Sequence, residues 1–268
     1  MAAEVHHELR EGIAVLTLDR PVANTLAPSV RAALGAELAL AFENPQTRAV
    51  VICGAGLGFS CGVDIAEYDE PPATPSVGDL CLAIENGPKP VVAALHGSAL
   101  GAGFELALAA DARVARAGTR VALPEVTLGL VPGGGGTQRL PRLVGAQAAL
   151  EFMLSGKDVD VSEPRLAPLF AVITREKPLD AALKTARELA ETGRRSRACD
   201  SRRGLSDPEA YQDALATVAV RLADKKSAEA DILSCVEAAL LLPFDQGLEF
   251  ERARFEDRVA TPQARGIR

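Results

Sequence analysis

No apolar run in this 268-residue chain approaches the ~20 residues of a bilayer-spanning helix, so no such helix is expected. Residues 1–20 lack a basic start followed by an apolar stretch, and the expected location is therefore the cytoplasm. Histidine is scarce: His6, His7 and His96 are scattered and give no metal shell. Cysteine is odd in number, five, without paired spacing, and reads as reduced thiols rather than a disulfide framework. Positive charge is in the minority, 29 basic against 36 acidic side chains for a net charge of −7. That balance argues against nucleic acid as a general partner, although a local basic patch can hold an anionic ligand.

What is present is apolar and alternating. Apolar residues make up 48% of the chain, enough for one large domain or two small ones with a core that needs no staples. Residues 12–18, 48–53 and 90–95 are short β-branched or apolar runs bounded by glycine or proline, which predicts strands. Between them, Val30, Leu34, Leu38 and Phe42 recur every four residues, and residues 102–110 are almost all helix formers. This alternation predicts an α/β fold. After residues 170–174 no strand signal follows, and residues 179–189, 207–222, 228–242 and 246–258 all read as helices. We divide the chain at 1–193 and 194–268, the second part a helical region suited to assembly. Arg194, Arg195, Arg197, Arg202 and Arg203 crowd the start of that part, either as a solvated linker or as a phosphate or partner site.

Three motifs fail on inspection. Gly58-Phe59-Ser60-Cys61-Gly62 matches a nucleophile elbow, but only His96 follows Ser60, too soon for the sheet such hydrolases need. Cys61 with His96 as base is a weaker form of the same idea, since a lone cysteine among glycines is more often a small packed residue. The glycines at 54, 56 and 58, at 101 and 103, and at 133 and 135 each lack the third glycine of a dinucleotide loop.

Two glycine-rich segments remain, residues 54–64 and 96–105. Small residues let a ligand approach the main chain, and two free N–H groups from separate loops make an oxyanion hole. Taken singly, each is equally well a tight turn. Glu105 lies in an otherwise apolar helix, Phe104-Glu105-Leu106-Ala107, and Glu125 again among apolar neighbours. A buried charge is costly unless paired or used. A helix followed by a returning strand has the reach to bring the two together, although two separately paired glutamates fit the same spacing.

At these residues the chain resembles the enoyl-CoA hydratase/isomerase (crotonase) superfamily. Phe59-Ser60-Cys61-Gly62-Val63-Asp64-Ile65 is similar to its first oxyanion loop, and His96-Gly97-Ser98-Ala99-Leu100-Gly101-Ala102-Gly103-Phe104-Glu105 to its second. Pro124-Glu125-Val126-Thr127-Leu128-Gly129 through Pro132-Gly133-Gly134-Gly135-Gly136-Thr137-Gln138-Arg139 resembles its catalytic loop. The wording is nearest to the hydratase half of multifunctional fatty-acid oxidation enzymes. The resemblance implies a spiral of ββα units with C-terminal helices that assemble homotrimers or hexamers. It implies an acyl-CoA thioester as substrate, with coenzyme A part of the substrate and no cofactor or metal besides.

The resemblance also implies roles. The Val63 and Ala102 amides would hold the thioester oxygen, and Glu125 would transfer the proton while Glu105 orients and activates water. Gly133 would help hold that water. Val22, Cys61, Gly62, Asp64, Ile65, Leu100, Gly101 and Pro124 would line the substrate. The chain departs from the pattern in several places. Ala102 replaces the middle glycine of a common turn, and Ala66 stands where a phosphate-binding lysine is frequent. Pro164 and Pro168 should break a helix near the acyl pocket. Residues 67–79, rich in proline and acid, are expected to form a flexible cover that influences chain-length preference. No dehydrogenase motif follows, so the expected form is a standalone hydratase with a separate 3-hydroxyacyl-CoA dehydrogenase as a partner. Enoyl-CoA isomerisation, or a non-catalytic CoA- or RNA-binding role, are the alternatives.

Overall fold

The computed structural model describes residues 4–222 and 227–267. The chain opens with β1 (Val5–Arg10) and β2 (Ile13–Leu18), then α1 (Pro28–Glu43), β3 (Ala49–Gly54) and α2 (Val77–Asn86). It continues with β4 (Val91–Leu95), β5 (Ser98–Leu100), α3 (Ala102–Ala109), β6 (Ala112–Arg116) and β7 (Arg120–Ala122). Then come α4 (Gly136–Val144), α5 (Ala146–Ser155), β8 (Val159–Asp160), β9 (Val172–Thr174) and α6 (Pro178–Thr192). Four helices follow: α7 (Pro208–Arg221), α8 (Ala228–Leu241), α9 (Phe244–Val259) and α10 (Pro262–Ile267).

The large sheet has the order β1-β2-β3-β4-β6-β9, parallel throughout except for the β1–β2 hairpin. Its inner strands β2, β3, β4 and β6 are buried on both faces, which is why β2, β3 and β4 read as unbroken apolar runs, while the edge strands β1 and β9 are largely exposed. Leu16, Ile52 and Ala93 face the main core, while Val15, Val51 and Val92 face Ala182, Leu183 and Ala186 of α6. A smaller layer, β5-β7-β8, continues on one side through a parallel bridge between Ser60 and Ala99. Each turn of chain thus adds one strand to each layer: β3 and Ser60, then β4 and β5, then β6 and β7. This is the expected spiral of ββα units.

Three local expectations meet their physical outcome here. Pro164 and Pro168 shorten the segment at 164–169 to a 3-10 turn whose Leu166 and Leu169 still reach the core. The 67–79 cover is tied down rather than loose. Buried Arg31 of α1 pairs with Glu67 at 2.6 Å and donates to the carbonyls of Ala73 and Pro75. The arginine-rich stretch is also docked, through Arg195, which binds Asp111 at 2.7 Å and donates to the Glu85 and Gly87 carbonyls ending α2. It works as a helix-end strap. Helices α7 and α8 place Tyr211, Leu215, Ile232 and Val236 in the same core as Leu140 and Leu150 of α4 and α5. No described helix is long and apolar enough to cross a membrane.

Candidate active site

The first glycine loop is shaped by Asn24 and Ser60. Asn24 is buried and its Nδ2 donates to the carbonyls of Ala55 and Gly58. The fully buried Ser60 Oγ donates to the Asn24 carbonyl at 2.7 Å and accepts from the Gly62 amide at 3.1 Å. Both capacities of that hydroxyl are spent on the loop, which rules out a nucleophile elbow. Burial pushes the Cys61 thiol up, the reverse of an activated nucleophile.

The second loop lies against the first. The Phe59 and Ser60 amides donate to the Ser98 carbonyl, and the Leu100 amide returns to the Ser60 carbonyl at 2.9 Å. At Gly62, φ is +87° and a Cβ would lie 2.8 Å from the Leu100 carbonyl oxygen and 3.2 Å from the Ala102 nitrogen. Only glycine admits that approach. It sets Val63 next to the first residue of α3, and among the described residues neither the Val63 nor the Ala102 amide donates to a protein acceptor. Two uncommitted donors from separate loops therefore stand side by side.

The carboxylates arrive by strand pairing. Strands β5 and β7 run parallel with Leu100 beside Ala122, and the Gly101 amide donates to the Ala122 carbonyl. The chain beyond β5 enters α3 and carries Glu105 in its first turn. The chain beyond β7 reaches Pro124 and a 3-10 turn that begins at Glu125. A Cβ on Gly101 would fall 2.8 Å from Glu125 Oε1. At the far end of α3, buried Arg113 donates to the Ala107, Leu108 and Ala110 carbonyls and closes that terminus.

Both glutamates are buried, with 2% of Glu105 and 6% of Glu125 exposed, but their surroundings differ. Glu105 Oε1 accepts the amides of Gly134 and Gly136 at 2.9 and 2.8 Å. Burial raises its pKa, while those two amides and Arg139 oppose the rise. Among the described residues Glu125 Oε2 has no partner. Burial, and then the charge of Glu105, pushes Glu125 well above the ordinary carboxylate range. Such a pair titrates as a unit, and the stronger upward push falls on Glu125. One acid and one base side by side is the arrangement that proton-transfer chemistry needs.

The structure brings residues 61–63, 100–102, 124–125 and 133–136 together. Cys61, Val63, Leu100, Pro124 and Gly133 keep partial exposure around the buried carboxylates. Val22, Asp64 and Ile65 stand exposed at the outer side of the first loop, where Asp64 caps the 65–69 turn. Pattern reading gave no role to Asn24 or Glu251, and none to Arg139 beyond its place in the catalytic-loop motif. Glu251 lies in α9, whose buried positions are Gly247, Glu251 and Arg258, a face that hydrophobic periodicity does not detect. Its spacing from Gly247 and Phe255, four residues each way, was the available signal.

Comparison with known proteins agrees with this geometry. The sequence model of the enoyl-CoA hydratase/isomerase family matches residues 8–202. The peroxisomal bifunctional enzyme of Danio rerio is 36% identical over 261 residues, covering 97% of this chain and 36% of that one. The fatty acid oxidation complex subunit alpha of Shewanella putrefaciens is 34% identical over 282 residues, with 96% and 39% coverage. The chain thus spans less than two-fifths of the length of these curated relatives. A solved enoyl-CoA hydratase from Mycobacterium avium subsp. paratuberculosis superposes with a TM-score of 0.70 at 25% identity, covering 100% of this chain and 98% of its own. This chain belongs to the enoyl-CoA hydratase/isomerase family.

Proposed function

We propose that this chain adds water across the double bond of trans-2-enoyl-CoA thioesters in fatty-acid β-oxidation. The observation that carries the reading is the pair of unequal buried glutamates beside two uncommitted main-chain donors. In this reading the Val63 and Ala102 amides grip the thioester oxygen. Water held at Glu105 and the Gly133 main chain attacks C3 and gives its proton to Glu105. The negative charge passes to the thioester oxygen, and Glu125 protonates C2. Removing one oxyanion-hole donor, a side chain in the case measured, costs about 2.7–4 kcal/mol. Proton transfers suffice, so the reaction needs neither cofactor nor metal. We assign it to the cytoplasm, with assembly into homotrimers or hexamers through the C-terminal helices. A 3-hydroxyacyl-CoA dehydrogenase would consume the product.

Loss of the conjugated-thioester absorbance, followed with short-, medium- and long-chain 2-enoyl-CoAs, tests the reading directly. Turnover of the 2-enoyl esters supports it. Turnover confined to 3-enoyl esters would make the chain an isomerase, which requires Glu125 alone. Salt-sensitive RNA binding without any turnover would move it to the non-catalytic class.

Gly101→Ala probes the same geometry through the backbone. With φ at +51° and Glu125 Oε1 in the way of a Cβ, the variant is expected to lose about 1–3 kcal/mol of stability. Turnover should fall at least about tenfold, because a small displacement of a reacting group is costly. Urea unfolding and steady-state rates measure the two effects; a wild-type rate contradicts the placement of Glu125.

A further inference from the structure

The turn that holds Glu105 is held in its own right from the opposite side. Four consecutive amides, from Gly134 to Thr137, end on carboxylates in alternation. Gly134 and Gly136 donate to Glu105. Gly135 donates to Glu251 Oε1 at 2.6 Å, and Thr137 gives Oε2 both its amide at 2.8 Å and its hydroxyl at 2.5 Å. Glu251 is 1% exposed and comes from α9, more than a hundred residues further along the chain. The same face of α9 packs the rest of the turn. A Cβ at Gly133 would strike the Phe255 ring at 2.8 Å, and one at Gly247 the Gln138 Oε1 at 2.2 Å. Phe255 also meets Tyr68 edge-on at 5.6 Å, joining this helix to the first loop's continuation.

We propose that Glu251 is a positioning residue for the chemistry at Glu105, keeping the 134–137 turn in the conformation that aims the Gly134 and Gly136 amides at that carboxylate. The proposal rests on the hydration reading above. Three donors converge on Glu251, so the group must offer acceptors on both oxygens. A glutamine keeps one acceptor and turns an NH2 against the Gly135 or Thr137 donors. Released from Glu251, the glycine-rich turn has other conformations open to it, and the amides drift from Glu105.

Charge couples the two sides as well. Glu105 from α3 and Glu125 from the 125–128 turn face the same buried cluster as Glu251. Arg139 of α4 with its buried partner Glu85 of α2 at 2.9 Å, Cys81 of α2 and Cys235 of α8 also belong to it. Burial, and then the charge of Glu105, pushes Glu251 up to about 8. Its charge in turn helps keep the proton on Glu125. Because the folded pKa lies above the unfolded one, the stability this group contributes is present in full only below pH 4.5 and is lost as pH rises through about 8, where the ionised form that accepts all three donors takes over.

The test compares the wild-type chain with Glu251→Gln and Thr137→Val, using a short-chain 2-enoyl-CoA. Glu251→Gln is expected to lower kcat by about 10–100-fold with KM little changed, a loss typical of a misplaced group. The alkaline limb of its kcat profile should move to lower pH, because one charge that holds the Glu125 proton is gone. The fall in stability between about pH 4.5 and 8 should flatten. Thr137→Val should show a smaller drop in kcat, and it decides the matter if Glu251→Gln does not fold: a wild-type kcat there overturns the proposal. A lower melting temperature for Glu251→Gln with kcat and pH limb unmoved assigns Glu251 to folding alone and overturns it too. If the wild type turns over no thioester, the hydration reading fails separately. The amide resonances of Gly134 and Gly136 then decide the positioning claim, which stands if they shift in Glu251→Gln and falls if they do not.

Discussion

Glu125→Gln is expected to lower kcat for hydration by about 10²–10⁴-fold, the usual range for losing a general acid or base, while a saturated acyl-CoA still binds. The reason lies in what Glu125 touches. Its Oε2 has no partner among the described residues, and burial, then the charge of Glu105, pushes its carboxyl well above the ordinary range. The group contributes nothing to folding that an amide of equal size cannot supply. It is costly to keep, since the unfolded chain ionises it freely and the folded chain does not. Glu125→Gln should therefore melt at the wild-type temperature or above it near pH 7. Loss of turnover joined to undiminished stability is the signature of a group retained for chemistry. A variant that melts early, or that turns over at the wild-type rate, contradicts the assignment.

Glu105→Gln is expected to be impaired by about 10²-fold or more, for a different reason. Its Oε1 collects two amides of the 134–137 turn, and a glutamine oxygen can still accept both, so the fold should persist. What disappears is the negative charge that, in the proposed reaction, draws a proton from water. The same charge also raises Glu125, so the residual activity should show an alkaline limb at lower pH than the wild type. Glu105→Ala separates the two duties, because it strands the Gly134 and Gly136 amides. Each stranded amide costs about 1–3 kcal/mol. If the carboxylates act as one unit, the double variant Glu105→Gln/Glu125→Gln should be scarcely worse than the poorer single variant. Multiplicative losses would mean that the two glutamates work independently.

Some of this molecule was legible along the chain. Strands β2, β3 and β4 announce themselves as β-branched runs stopped by glycine or proline, since both of their faces are buried. Strand β1 escaped notice because His6, His7, Glu8 and Arg10 face solvent at a sheet edge. Helix α2 was hidden in a stretch read partly as cover, although Ser76 and Asp79 form a reciprocal capping box at its start. The run of four glycines at 133–136 that leads into α4, and Pro141 inside it, argue against a helix, and it forms because Glu105 and Glu251 accept the amides at its N-terminus. The two glycine loops and two glutamates were recognisable as residue types in order. That the arginines at 195 and 31 are straps was not, because their partners lie far away along the chain.

The sequence by itself determined the inner strands β2, β3 and β4 and the helical character of the last quarter, which family the chain resembles, and which two acids to watch. Those are properties of neighbouring residues, written in periods of two and 3.6. Only the tertiary structure decided that Glu251 shares a turn with Glu105, that the Val63 and Ala102 amides are left uncommitted, and that burial and the charge of Glu105 push Glu125 above the ordinary carboxylate range. Burial, charge and hydrogen bonding act through space. Parallel pairing of β5 with β7 and the packing of α9 on the 133–138 turn create those surroundings.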